Sequence, residues 1–406
     1  MTQIKNNPTP PPGYKQTKIG LLPEEWEINT VGKSLDIVNG PRKPISATIR
    51  YQMKGKYPYY GPTKIQDYIN EFQYEGRFAL IAEDGDHFLK YSDRPMTQIA
   101  QGKFNVNNHA HVIKGNSNCT TDWFYYFFQH RSIFAYLTRQ GAGRYKLNKS
   151  ALKQLPIPLP PLPEQRAIAA ILTTWDRAIQ TQQKLIAAKQ EQKRGLMQRL
   201  LTGEVRLEGF DGEWEKNRLG DLVKKAKGKI VPTHHDEDGL PYVGASNFSG
   251  KYSQYSKELD KGVICEDQDI LMLWDGENAG AVSIGHHGII SSTVAKLTPK
   301  KSTNSNFLFQ KLDLLNNRIR STRTGSGIPH VAKDLLHFFK LSIPPLSEQR
   351  AIATILTAAD REITLLEQEL EALQAQKKGL MQRLLTGQVR VPAHLIEKHR
   401  HEPAEL

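Results

Sequence analysis

Pro161-Leu-Pro-Glu-Gln-Arg-Ala-Ile-Ala169, running on to Gly195-Leu-Met-Gln-Arg-Leu-Leu-Thr-Gly203, decides the architecture of this chain. It returns as Pro345-Leu-Ser-Glu-Gln-Arg-Ala-Ile-Ala353 and Gly379-Leu-Met-Gln-Arg-Leu-Leu-Thr-Gly387. From Pro161–Arg206 to Pro345–Arg390 the offset is a constant 184 residues without a gap, and 29 of 46 positions are identical. That period is far longer than a solenoid repeat. The chain therefore reads as two large units in tandem, each a globular region followed by a helix.

The helical reading rests on heptad spacing. In the second copy the positions alternately 4 and 3 apart are Ile352, Leu356, Ala359, Ile363, Leu366, Leu370, Leu373, Lys377, Leu380 and Leu384, nine of ten apolar. Such a seam must be buried against something. The first copy gives Ile168, Leu172, Trp175, Ile179, Gln182, Ile186, Lys189, Lys193, Leu196 and Leu200, a weaker seam with three polar members. Pro163 suits a first helical turn and Ser347 an N-cap, and Gly203 and Gly387 suit helix ends.

Charge favours pairing of the two helices. Glu164–Arg199 carries seven basic and three acidic residues, whereas Glu348–Arg383 carries five basic and six acidic. A helix of some 36 residues is about 54 Å long, so a parallel pair would need the intervening globule to bridge that length. Antiparallel pairing places the second globule beside the shared end. The expected fold is α/β: two mixed α/β domains separated by two long antiparallel helices in an intramolecular coiled coil, with pseudo-two-fold organisation. The boundaries read as a first globular domain 1–160 with a flexible arm 1–12, a repeat helix 161–206, a second globular domain 207–344, a second helix 345–391, and a tail 392–406.

The 406 residues suffice for several cores, and the composition, 38% hydrophobic and 8% aromatic, is that of a folded protein. The polar, Pro-rich N-terminus lacks an apolar signal region, and no apolar run reaches membrane-spanning length. Two cysteines, Cys119 and Cys265, fit a reducing cytoplasm and cannot make a metal site alone. The net charge of +13 points to a polyanion, most often nucleic acid.

The globules echo one another less closely. Glu25-Trp26-Glu27 parallels Glu213-Trp214-Glu215, and Thr138-Arg139-x-Gly141-x-Gly143 parallels Thr322-Arg323-x-Gly325-x-Gly327. Arg77–Ala82 and Asp269–Trp274 read as strands, and Trp123–Phe128 and Phe307–Leu315 as buried helices. The glycine loops read as turns, or as backbone close to phosphate.

Catalytic signatures are missing. There is no phosphate-binding Gly-x4-Gly-Lys-Ser/Thr loop, no Asn/Asp-Pro-Pro-Tyr/Phe run of an amino-methyltransferase, and no Gly-x-Ser-x-Gly elbow. The pairs His234-His235, His286-His287 and His109-x-His111 lack partners at ligand spacing, so no metal site is expected. Basic and aromatic clusters stand out instead: Lys54 to Lys64 and Arg139 to Lys149 in the first globule, Lys224 to Lys229 and Arg318 to Arg323 in the second. Such loops can clamp phosphates while neighbouring polar side chains read base edges.

Taken with Gly20-Leu-Leu-Pro-Glu-Glu-Trp-Glu27, the two Pro-Leu-x-Glu-Gln-Arg openings and the two Leu-Leu-Thr-Gly endings resemble the specificity (S) subunit of Type I restriction–modification systems. The resemblance spans nearly the whole chain. It implies a DNA-binding, non-catalytic subunit whose two globules are target recognition domains, each reading one half of a bipartite asymmetric site. The helices would form the coiled coil that sets the spacer and docks two methyltransferase (M) subunits, with motor–nuclease (R) subunits joining them. S-adenosylmethionine and ATP with Mg are expected on those partners for DNA methylation and cleavage, with no cofactor in this chain. Half-sites would lie about one helical turn, roughly 34 Å, apart on double-stranded DNA.

The DNA-contacting candidates are Tyr60, Lys64, Arg139, Arg144, Tyr145, Lys146 and Lys149 in the first globule. In the second they are Ser246, Asn247, Ser292, Thr293, Arg323, His330 and Lys333. The coiled-coil interface is expected at Ile168, Leu172, Trp175, Ile179, Ile186, Ile352, Leu356, Ile363, Leu366, Leu370 and Leu373. Two rival readings share the helices: an orphan S-like protein that sequesters methyltransferase subunits, and part of a fused restriction–methylation enzyme.

Overall fold

The computed structural model describes residues 10–140, 144–325 and 327–402. The start of the N-terminal arm, Gly141 and Gly143 of the first glycine loop, Ser326, and the last four residues of the tail lie outside the described residues. The chain divides into two units, one holding residues up to Thr181 together with those from Leu370 onward, the other Gln182–Glu369. The repeat segments form helices Leu162–Thr202 and Leu346–Leu385. Each unit therefore contains one globular region, the N-terminal half of one helix and the C-terminal half of the other.

Within each unit the helix halves run antiparallel. In the first, Arg390 pairs with Glu164 and Lys377 with Asp176, so numbers fall on one side as they rise on the other. In the second the partners are Gln182 with Glu369, Lys189 with Glu362, and Lys193 with Asp360. The polar members of the weaker seam thus bond across the pair. Ile168, Leu172, Ile352 and Leu356 are fully buried, but within the globular cores, together with Leu384–Leu385 in the first unit and Leu200–Leu201 in the second. Ile186 and Ile363 are buried, whereas Trp175, Ile179, Leu366, Leu370 and Leu373 are only half-buried.

Ser347 is not the N-cap but the second helical residue. The carbonyl of Pro345 takes the amides of Glu348 and Gln349, as that of Pro161 takes those of Glu164 and Gln165. The residue at the cap position supplies that first carbonyl acceptor, so Pro345 holds the place that Ser347 was expected to fill, and Pro161 does the same in the first copy. Gly203 and Gly387 follow the helices with φ of +77° and +68°.

The Glu-Gln motif fastens each helix to its globule. Gln165 is fully buried; its amide nitrogen donates to the carbonyls of Pro160 (2.9 Å) and Asn118 (3.1 Å), and its oxygen accepts from the Thr120 amide (2.9 Å). Gln349 does the same with Pro344 (2.8 Å), Ser302 (3.2 Å) and the Asn304 amide (2.8 Å). Thr120 and Asn304 are themselves the N-caps of the buried helices Thr121–Gln129 and Ser305–Leu314. The preceding carboxylates, Glu164 and Glu348, are 2% and 1% exposed and receive two nitrogens each from Arg390 and Arg206. Deeper along the helices, Asp176 takes Tyr126 and Lys377, and Asp360 takes Gln310 and Lys193.

The globular regions differ in their sheets. The first has six strands in the order Asp36–Ile37, Ala110–Lys114, Tyr74–Ala82, Thr97–Val106, Lys54–Tyr60, Ile65–Ile69, antiparallel except where Tyr59 and Tyr60 run parallel to Asn105 and Val106. The second has two four-stranded sheets. One orders Val223–Lys227, Val294–Pro299, Ile270–Leu273 and Val282–Ser283; the other orders Tyr255–Ser256, Leu240–Val243, Gly288–Ile290 and Ile264–Cys265. Both globules keep an antiparallel pair beneath the helix start, Glu27–Thr30 with Pro156–Leu159 and Glu215–Arg218 with Lys340–Ile343. Apolar strands buried on both faces, such as Phe78–Ala82 and Ile270–Leu273, carry the cores.

Candidate nucleic-acid interface

The two central strands end in one kind of turn. Tyr74–Ala82 runs into Glu83-Asp84-Gly85, and Ile270–Leu273 into Trp274-Asp275-Gly276. Gly85 and Gly276 have φ of +135° and +106°, a region that side chains disfavour. Three main-chain bonds hold both turns identically. Leu147 donates to Glu83 as Val331 does to Trp274, Gly85 donates to Tyr145 as Gly276 does to Pro329, and Glu83 donates to His109 as Trp274 does to Thr293. Bridges join Asp84 to Lys146 and Asp275 to His330. The residues around each turn keep the 184-residue offset, whereas the turns themselves are 191 apart.

Basic side chains converge on both turns. In the first unit Arg42 bonds Glu83 at 2.8 Å, Lys146 lies 3.5 Å from the same carboxylate, and His109 Nδ1 is 2.8 Å from Asp84. In the second, Lys227 and His330 bond Asp275 at 2.8 and 2.7 Å, Arg323 donates to the Glu277 carbonyl at 2.7 Å, and Lys225 lies over the Trp274 ring. Partial burial alone would raise the Asp275 carboxyl, but the bonds from Lys227 and His330 outweigh it and hold it below the usual range. Ile328, on the loop leading to His330, is 63% exposed.

The structure sorts the residues singled out from sequence. Tyr145 and Lys146 in the first unit, and Thr293, Arg323 and His330 in the second, bond to the turns or their flanking backbone. Arg139 and Arg144 are exposed on the hairpin Thr138–Gln140/Arg144–Lys146 that carries Tyr145. Lys64, Lys149, Ser246 and Lys333 are exposed, and Ser292 half-buried, with no side-chain bond to a turn among the described residues. Tyr60 is 9% exposed with its ring edge-on to Phe104, so it is a core residue and not a groove-facing one. Asn247 is also turned inward, its side chain bonding Gly244 and Lys251.

Sequence reading missed Arg42, Asp84, His109 and Asp275 as members of these clusters. The available signal was the shared Asp-Gly followed by an acid, Asp84-Gly85-Asp86 and Asp275-Gly276-Glu277, displaced from the main repeat register.

Each unit also carries a groove between its buried helix and a long-helix end. One, of about 270 Å³, is lined by Tyr126, His130, Lys378, Met381 and Gln382. The other, of about 530 Å³, is lined by Asp313, Leu314, Arg194, Met197 and Gln198. Lys378, Met381 and Gln382 are the repeat counterparts of Arg194, Met197 and Gln198. Among the described residues no helix is long and apolar enough to cross a membrane, and no group of His, Cys, Asp and Glu is arranged to hold a metal.

Comparison with known proteins places these features. The family model of the Type I restriction modification DNA specificity domain matches residues 23–190 and again 211–375. The putative type I restriction enzyme MjaX specificity subunit of Methanocaldococcus jannaschii is 27% identical over 416 aligned residues, covering 93% of this chain and 97% of that one. The MjaVIII specificity subunit of the same organism is 39% identical over 179 residues, 43% of this chain and 42% of that relative's length. In fold, the crystal structure of the Type-I restriction-modification system S subunit from M. genitalium superposes with a TM-score of 0.65 at 18% identity, covering 88% of this chain and 96% of that one. Two matched domains, each taking in most of one of the two long helices, establish that the chain belongs to the Type I restriction–modification specificity-subunit family.

Proposed function

We propose that this chain is the DNA-reading subunit of a Type I restriction–modification complex, without catalytic residues of its own. Each globular region reads one half of a bipartite, asymmetric site in double-stranded DNA. The paired helices set the spacing and dock two methyltransferase subunits, to which motor–nuclease subunits are added. S-adenosylmethionine, ATP and Mg would act on those partners, in the cytoplasm.

The observation that carries this reading is the Asp-Gly turn, held by the same main-chain bonds in both globules yet surrounded by different basic and polar side chains. A constant frame with variable side chains is what two readers of different half-sites require. The paired grooves favour one kind of partner bound twice, because their linings repeat at Arg194/Lys378, Met197/Met381 and Gln198/Gln382.

Co-expression with a cognate Type I methyltransferase subunit, in a methylation-free host, tests the assignment by sequencing of modified adenines. A split asymmetric site, modified only when both proteins are present, is the expected result. Methylation by this chain alone would overturn the non-catalytic reading. A soluble co-purified complex that modifies nothing would overturn the working-subunit reading.

A further inference from the structure

Asp84 and Asp275 occupy the same place in the two units, and each holds an imidazole. His109 Nδ1 lies 2.8 Å from Asp84 and His330 Nδ1 2.7 Å from Asp275. The histidines are not counterparts. By main-chain bonding and the 184-residue offset, His109 corresponds to Thr293, and His330 corresponds to Lys146. The imidazole has therefore changed sides of the turn while the aspartate stayed. Inheritance of the frame does not by itself supply this arrangement twice from different loops.

The chemistry of the pair is specific. A carboxylate only accepts, so the hydrogen of each neutral ring sits on Nδ1 and the Nε2 lone pair is left outward. His109 and His330 side chains are 45% and 47% exposed, and neither Nε2 has a partner among the described residues. An outward acceptor cannot bond a phosphate oxygen, which also only accepts. It can take a hydrogen from an exocyclic amino group, which adenine N6 and cytosine N4 present in the major groove. Beside the second pair Lys227, 46% exposed, bonds Asp275, and beside the first Lys146, 29% exposed, lies 3.5 Å from Glu83, so a partly exposed ammonium flanks each imidazole.

Resting on the DNA-reading assignment above, we propose that His109 and His330 each read a base amino group, one in each half-site, and that Asp84 and Asp275 are positioning residues that fix the rings as acceptors. Because the imidazole sits on opposite sides of the turn, the base pair it reads falls at a different place in each half-site.

The test is methylation-site sequencing of the full chain with its methyltransferase subunit, comparing wild type, His330→Ala and Asp275→Asn, with His109→Ala as the reciprocal control. With His330→Ala, discrimination at one base pair of the second domain's half-site should fall by roughly tenfold, with the other half-site unchanged. Asp275→Asn lets the ring carry its hydrogen on Nε2, so preference at that same position should move toward guanine or thymine, whose O6 or O4 accepts. A purely structural role would weaken all sites alike and would not change a preferred base. A split site in wild type that is unchanged in His330→Ala overturns the proposal and leaves the subunit assignment intact. A wild-type complex with no split site overturns that assignment, and this proposal with it. Exposed His330 and isosteric Asn both leave the core untouched, and equal melting temperatures verify this.

Discussion

The first unit builds one six-stranded sheet and the second splits its strands between two four-stranded sheets, yet the two anchor their helices through the same atoms. Gln165 and Gln349 make three hydrogen bonds each to partners 184 residues apart, and Glu164 and Glu348 meet arginines from the opposite helix's end. What is kept is the attachment to the long helices; what is free to change is the sheet beside it. The attachments are not quite equal. Trp26 Nε1 donates to Glu164, whereas Trp214 Nε1 is buried with no partner among the described residues. The counterpart of Phe127, which stacks on Trp123, is Lys311, buried over the Trp214 ring with its ammonium on the Leu201 carbonyl at the end of the first long helix.

The sharpest way to break the equivalence is at the glutamines. Gln165→Ala or Gln349→Ala takes this partner from two carbonyls and one amide, the Pro160 or Pro344 carbonyl being buried and the others buried to half-buried, at on the order of 3 kcal/mol. The two losses should match within about 1 kcal/mol, read as hydrogen-exchange protection of each unit separately. A neutral result at either position would mean that the clamp is not what fastens that helix.

Lys311 should separate the units. Burial pushes its ammonium down to about 8 from the usual 10.5. Below pH 8 the amine is charged folded and unfolded, so the cost of burying the charge is fully present. Between about 8 and 10.5 the unfolded chain keeps a proton that the folded one has lost, so stability contributed at this site rises with pH. Lys311→Met should therefore stabilise the second unit at pH 7 by no more than about 3 kcal/mol, with the gain shrinking toward pH 10. Phe127→Met should show no such pH dependence. Melting curves at pH 7 and 10 check both.

The smallest effect is expected where the units agree across the helix pair. Asp176–Lys377 and Asp360–Lys193 are both 2.5 Å and partly exposed. Double-mutant cycles should give about 0.5–1 kcal/mol for each, falling with added salt. A clear inequality would show that the globules bias the helix pair differently.

Much of the frame was legible beforehand because it is periodic or repeated. The heptad seam gave both helices, the apolar runs at Arg77–Ala82 and Asp269–Trp274 gave the central strands, and Trp123–Phe128 and Phe307–Leu315 gave the buried helices. The site was less legible. Basic clusters around Lys146 and Arg323 were visible as charge, but Tyr60 and Asn247 looked like contacts and are turned inward. Single-residue orientation depends on the strand face or turn, which composition does not report.

By itself, the sequence determined the duplication, the helix pair and its antiparallel sense, and the basic clusters within each globule. The duplication, the helices and the clusters depend on local repetition, period or composition, and the antiparallel sense on helix length set against chain connectivity. Only the tertiary structure decided that Glu164 meets Arg390, that Gln165 ties a helix start to Asn118 and Thr120, and that Asp84 holds His109 while Asp275 holds His330. These pairs lie from 25 to more than 200 residues apart. Their meeting follows from sheet register and helix packing, where one residue of slip would turn each side chain to another face.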